Sequence, residues 1–590
     1  MVPRPNAGPD PKGRSRFRGR RVADAIAADA SEWDDEAMSV HQPAPETTAT
    51  DPRITPPNQP TPLAGTNLFT SNVPLVEAAH RSGVDPWLQE CEALGELAGR
   101  PEILELGDLA NSNPPVLKPF DRYGNRIDEV SFHPAFHELM DIACSNGLHS
   151  LPWTANAGGH SARAALFMTW SQVEAGHGCP ISMTYAAVPA LRANPQLASQ
   201  WEPLLTRNAY DGQLKAASDK RGALAGMAMT EKQGGSDVRA NLTTAEPLGG
   251  LDDPWLLDGH KWFCSAPMCD IFLVLAKTDE GPTCFAVPRI LDDGRRNPFR
   301  LQRLKDKLGN RSNASSEVEF HSTEAFLVGD PGRGVQAIIE MVNHTRLDCV
   351  LGSASGMRIA LAQAANHAAH RSAFGRLLAE QPLMQQVLAD LALESEAATA
   401  VGMRLASAYD SADPEEARFR RIATAVAKYW VCKRQTAMVA ECLEVLGGNG
   451  YVEESGMPRL LREAPLNGIW EGSGNVICLD VLRACAREEG TLAALLAEIR
   501  LGGTPELFEL ADHAESALAD LQTAEPRARV IVERLAVGLQ ASLLQRFAPP
   551  AVSDAFTASR VRGEGGMAFG SLPSGCDTAA LAERALPQLA

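Results

Sequence analysis

The stretch NGIWEGSGNVICLDVLR, Asn467 to Arg483, sets one carboxylate, Glu471, between a tryptophan and a Gly-Ser-Gly turn, just ahead of an apolar run with helical spacing. Two chemistries fit that placement. A glutamate at a helix entrance complements the N-terminal N–H groups and the positive end of the helix dipole. A glutamate buried against an aromatic ring is instead pushed toward neutrality and becomes a general base that can take a proton from carbon. Local sequence leaves both open.

Three other segments carry chemistry-bearing residues. In MTEKQGGSDV, residues Met229, Thr230, Glu231 and Ser236 surround Gly234 and Gly235. These glycines allow a close turn whose N–H groups and hydroxyls bind phosphate or the edge of a flavin, although an ordinary β turn needs the same residues. In DGHKWFCSAP, Trp262 can flank a planar group and Cys264 or Ser265 can hydrogen-bond to it, or the tryptophan is simply core. In HRSAFG, Arg371 suits a phosphate and Phe374 a ring, against the plainer reading of a solvated arginine and a packed phenylalanine. Neither a GxGxxG following a strand nor a GxxxxGK[ST] occurs, and no Cys or His spacing suggests a metal site.

The elements that must position these residues follow from periodicity. An extended Pro-rich tail is expected over 1–62, then a helical domain over 63–225, where SARAALFMTWSQVEAG has helical spacing. Strand-length runs such as DIFLVLAK and CFAVPRIL predict a mainly antiparallel β domain over 226–329. Helical spacing returns over 330–488, and an additional mainly helical domain is expected over 489–590. The fold class is therefore α+β.

The chain has 590 residues, enough for several cores, with 44% hydrophobic and 22% charged side chains, so a wholly disordered protein is excluded. A formal charge of -18 argues against uniformly strong attraction to nucleic acid or anionic membrane. Twelve scattered cysteines without CxxC pairs suit reduced thiols and a cytoplasmic location, and no apolar run suggests membrane insertion.

Taken in order, TExxGGSD, HKWFxS, RxxFG, LGGxG and W-E-G resemble the acyl-CoA dehydrogenase family over roughly Leu63 to Arg487. The resemblance implies an FAD-containing oxidoreductase that forms an α,β double bond in an acyl-CoA, here a short or branched one, with Glu471 as catalytic base. It implies that Met229 and Thr230 meet the flavin pyrimidine, Trp262 flanks the ring, and Cys264 or Ser265 approaches its reactive edge, the choice between them staying open. Ser236 would lie near the pyrophosphate or the substrate entrance, and Ser473 and Asn475 would add cofactor contacts. Arg371 and Phe374 would reach the adenine half across a subunit boundary, in a homotetramer. Arg346 and Asn343 would line the substrate site, Asn343 standing where an acid often contacts CoA. Thr345 is not glutamate, which disfavours the alternative base position of branched-chain relatives.

Within the family the sequence is most similar to an adaptive-response subgroup with an extra C-terminal region, which implies a second function: binding double-stranded DNA and protecting it during alkylation stress. Between Ala486 and Ala590 there are nine arginines against 14 acidic residues, a formal -5. A DNA surface would therefore need a local cluster, expected at Arg527, Arg529, Arg560 and Arg562.

Overall fold

The computed structural model describes residues 58–587, so residues 1–57 of the expected tail lie outside the described residues. The first part is helical, and its two innermost helices, Gly159–Trp170 and Gly178–Leu191, are buried almost all round. Helix starts follow the local chemistry: Asn194 caps the Pro195–Leu205 helix by accepting from the N–H groups of Gln196 and Leu197, with proline in the first turn.

One departure interrupts the expected helical stretch. Val116–Phe120 and Arg126–Ser131 form an antiparallel hairpin closed by Asp121, whose carboxylate accepts from the N–H groups of Tyr123 and Asn125. These strands lack a clean buried face, so period 2 was hidden in the sequence.

The middle part is a seven-stranded sheet, mainly antiparallel, with Ala225–Ala228 running parallel to Ile271–Thr278. Its longest pair is Trp255–Ser265 against Ser315–Val328, with the register broken between Lys261 and Cys264. That irregularity falls on Trp262 and Phe263, and such bulges re-aim side chains. The Trp262 N–H donates to the Thr230 carbonyl at 2.8 Å, which brings the TEKQGG loop against the HKWF strand.

Three long helices follow, Gly334–His370, Pro382–Asp410 and Pro414–Val445, and then the shorter Gly474–Arg487. The remaining helices do not stand apart as a separate body; from Asn58 onward the chain forms one compact unit. The reason is electrostatic as well as apolar. Asp390, Glu394 and Glu396 are buried on the Pro382–Asp410 helix, and residues near the C-terminus answer them: Arg560 pairs with Asp390 and Glu394, and Arg584 with Glu396. Among the described residues no helix is long and apolar enough to cross a membrane.

Candidate functional site

Glu471 sits in a left-handed backbone conformation, φ 59°, followed by Gly472 at φ 110°. A non-glycine residue there is held against a local energy of order 1–3 kcal/mol. Its neighbours supply the restraint. Lys428, from the Pro414–Val445 helix, donates to the carbonyl of Trp470 at 2.8 Å and to that of Gly472, while Arg346 Nε donates to the Glu471 carbonyl at 3.0 Å. The Trp470 indole N–H is fixed by Asn467 Oδ1 at 3.0 Å.

The helix after this turn starts at Gly474 with Ser473 at its N-cap, so Glu471 precedes the cap. The residue as a whole is half-buried, but its Oε2 is sequestered from solvent and has no hydrogen-bond partner in the protein. Burial raises the carboxyl to about 7, against the lowering pull of Arg346, Lys428 and the Thr345 hydroxyl. Desolvation thus outweighs the neighbouring positive charge, and at neutral pH the group stands at the midpoint suited to accepting a proton.

The sheet carries the other motif residues. Glu231 is buried and binds Lys261 Nζ at 2.7 Å, and its carboxylate also accepts from Leu242 N and the Thr243 hydroxyl, each at 2.6 Å. Glu231 is therefore the anchor of the TEKQGG loop. The Cβ of a non-glycine residue at 235 would stand 2.5 Å from Thr230 Oγ1, which explains that glycine. Trp262 is half-buried, with Lys305 Nζ 3.3 Å from its ring centroid. Cys264 is fully buried, its carbonyl taken by the Ser316 hydroxyl at 3.0 Å, whereas Ser265 is half-buried with its hydroxyl 3.4 Å from that of Ser315. At the start of the Gly178–Leu191 helix, burial pushes the Cys179 thiol up to about 12, with Glu471 adding to the rise and the Ser265 hydroxyl opposing it.

The other expected residues divide. Arg346 is 6% exposed; its Nη1 binds Asp480 at 2.7 Å and its Nε the Glu471 carbonyl at 3.0 Å. Asn343 is half-buried, its carbonyl accepting from Tyr409. Met229 is half-buried and Ser236 exposed. Ser473 and Asn475 are exposed, and Asn475 Oδ1 accepts from Arg529 Nε at 2.8 Å, which joins a residue of the expected cofactor set to one of the expected DNA set. Arg371 and Phe374 stand apart on a short hairpin, Arg371 bound to the Asn58 carbonyl and Phe374 99% exposed. Of the four expected DNA-facing arginines, Arg527, Arg529 and Arg562 are exposed. Arg560 is corrected: it is tied to Asp390 and Glu394 and is largely buried, because its charge is needed inside the protein. Arg562 pairs with Glu564 and Glu506.

Lys428 and Lys261 were not singled out from sequence. For Lys428 the signal was present: it is the lone charged residue within the largely apolar stretch ATAVAKYWV, a pattern that for a buried lysine calls for a specific partner, whereas Lys261 in WLLDGHKWF follows Asp258 and His260 and carries no such signal.

Comparisons with known proteins add three matched regions: the adaptive response protein AidB N-terminal domain over residues 58–212, the acyl-CoA dehydrogenase middle domain over 226–323, and the acyl-CoA dehydrogenase C-terminal domain over 332–486. The chain is 48% identical over 501 residues to the putative acyl-CoA dehydrogenase AidB of Escherichia coli (strain K12), covering 84% of this chain and 92% of that protein. It is 32% identical over 450 residues to acyl-CoA dehydrogenase family member 11 of Caenorhabditis elegans, 71% of each chain. Among solved structures it is similar to Bd2924 in its apo-form, with a TM-score of 0.77, 29% identity, and coverage of 83% of this chain and 99% of that one. Similar too is Caenorhabditis elegans ACDH-11 in complex with C11-CoA, with a TM-score of 0.76, 25% identity, and coverage of 92% and 94%.

Proposed function

We propose, because this chain belongs to the acyl-CoA dehydrogenase family, that it desaturates a short or branched acyl-CoA with Glu471 as the base. It is an AidB-like flavoprotein with FAD as cofactor. The residues present fit that group: half-buried Trp262 and Ser265 share one strand, and the buried Glu471 Oε2 still lacks a partner. Ser265, not Cys264, is the hydroxyl we assign to the cofactor edge, since the Cys264 side chain is fully buried.

The observation that carries the reading is this sequestered carboxylate with its pKa near 7. Glu471 takes the proton from the carbon α to the thioester, and Arg346 and Lys428 keep its turn fixed as it does so. FAD, when bound, accepts the hydride from the adjacent carbon. Anaerobic mixing of the FAD-loaded protein with short and branched acyl-CoAs should bleach the flavin and yield the enoyl-CoA. A loaded protein that no acyl-CoA bleaches would overturn the proposal.

The assembly we infer is a homotetramer in the cytoplasm. It is supported by the outward Phe374 and by Leu383 and Tyr451, exposed to 82% and 81%, which a second copy would cover, and by twelve free cysteines, ten of them buried. Light scattering should give four chains per particle; an FAD-loaded monomer at working concentration would contradict it.

Duplex DNA binding is a second reading, favoured by the exposed Arg527 and Arg529, which among the described residues pair with no carboxylate. It is now narrower than a four-arginine stripe. Replacing both by alanine should weaken binding to unrelated duplexes and reduce the log-log salt slope by about 1.8, at about 0.9 per phosphate contact. An unchanged slope removes this surface, and no binding at low salt removes the DNA reading.

A further inference from the structure

Lys428 is 1% exposed, and among the described residues it pairs with no carboxylate. Its Nζ instead grips the carbonyls of Trp470 and Gly472, the residues on either side of Glu471. Arg346 takes the carbonyl between them. Three consecutive carbonyls are thus held by two cations from two different helices.

Both features are individually unfavourable. A buried ammonium without a carboxylate carries a desolvation penalty, and a left-handed glutamate adds backbone strain. A turn that served only the fold would have glycine at 471 and an aliphatic residue at 428. Here both penalties converge on one carboxylate.

We propose that Lys428 is a positioning residue for Glu471: it fixes the left-handed turn that aims the carboxylate, and its charge offsets the burial of that carboxylate. The proposal rests on the reading of Glu471 as the base. The groups that face Glu471 come from three helices. The Gly334–His370 helix presents Arg346, Thr345 and Cys349, the Pro414–Val445 helix presents Lys428, and the Gly178–Leu191 helix presents Cys179. Burial pushes the Cys179 thiol up to about 12 and Cys349 well above its ordinary value, so both stay neutral. Arg346 shares its charge with Asp480, which also binds Arg421. Lys428 has no such carboxylate, so its charge is the less divided of the two. Without it, burial of Glu471 is opposed only by Arg346 and the Thr345 hydroxyl, and the carboxyl rises further.

The test uses FAD-loaded parent, Lys428→Met, Lys428→Arg and Glu471→Gln, with each Lys428 form also combined with Glu471→Gln. Two midpoints are read: the pH dependence of the stability difference between each form and its Glu471→Gln counterpart, and that of acyl-CoA-driven flavin bleaching. A carboxyl whose folded pKa is raised from 4.5 to about 7 destabilises the folded state progressively as pH climbs through that window. In Lys428→Met the window should extend upward by about one pH unit or more, and the bleaching midpoint should move with it. Lys428→Arg should return both toward the parent. If Lys428→Met does not fold, Lys428→Gln keeps amide donors without the charge, and the same upward shift is expected.

Either variant that folds, keeps FAD and shows both parental midpoints overturns the proposal. Glu471→Gln bleaching at the parental rate overturns the base assignment instead, and the stability midpoint then still decides whether Lys428 sets the charge of Glu471.

Discussion

Glu471→Gln is expected to keep FAD and to lose acyl-CoA-driven flavin reduction by about 10²-fold or more, the usual worth of a positioned general base. The substitution preserves size and removes only the proton-accepting charge, while the turn remains held through backbone carbonyls that glutamine shares. Stopped-flow absorbance of the flavin band reads the effect directly. In the parent the rate should rise with pH through about 7, because only the ionised carboxylate accepts the α proton and burial holds its pKa there. Glu471→Gln should lose that limb as well as the rate. Equal rates in the two proteins would exclude Glu471 as the base.

Lys261→Met should cost about 3–5 kcal/mol of stability, the range for removing one partner of a buried ion pair. Lys261 and Glu231 are both fully buried, and Lys261 Nζ also donates to the Leu275 carbonyl at 2.7 Å, so the pair ties the TEKQGG loop to two strands. Against the raising effect of burial, Lys261 and the hydrogen bonds of Leu242 and Thr243 hold the Glu231 carboxyl down to about 2. Its folded pKa is depressed, so the parent has the full contribution above pH 4.5 and loses it as pH falls from there toward about 2. In Lys261→Met the penalty should be largest at neutral pH, where an uncompensated carboxylate is buried, and should shrink on acidification as the group protonates. Because the pair supports Thr230 and Trp262, FAD should also be lost on gel filtration. Urea denaturation at pH 7 measures the first effect. A midpoint equal to the parent's, with FAD retained, would show that the pair anchors nothing.

Part of this molecule was legible residue by residue. Helices, then sheet, then helices followed from spacing alone, because the 3.6 and 2 periods are set by neighbours a few positions apart. The Val116–Ser131 hairpin escaped because neither strand buries a residue fully: Val116–Phe120 alternates only between exposed and half-buried positions, and Arg126–Ser131 is half-buried throughout. The motif residues could be named, but their tasks could not all be separated. Arg346, expected at the substrate site, binds the Glu471 carbonyl and Asp480, partners that its motif did not disclose. Arg560, expected to face DNA, is held by two carboxylates of the Pro382–Asp410 helix.

The sequence by itself determined which chemistry was available at Glu471, a base or a helix-start carboxylate, since that depends on the residue, its tryptophan and its turn. Only the tertiary structure decided the surroundings that set its charge. The helix begins past Glu471 at a serine cap, the carboxylate oxygen is shut away from water, and the two cations beside it arrive from distant helices. Charge state follows desolvation and through-space Coulomb forces, and these are summed over whatever the fold brings within a few ångströms, whichever part of the chain supplies it.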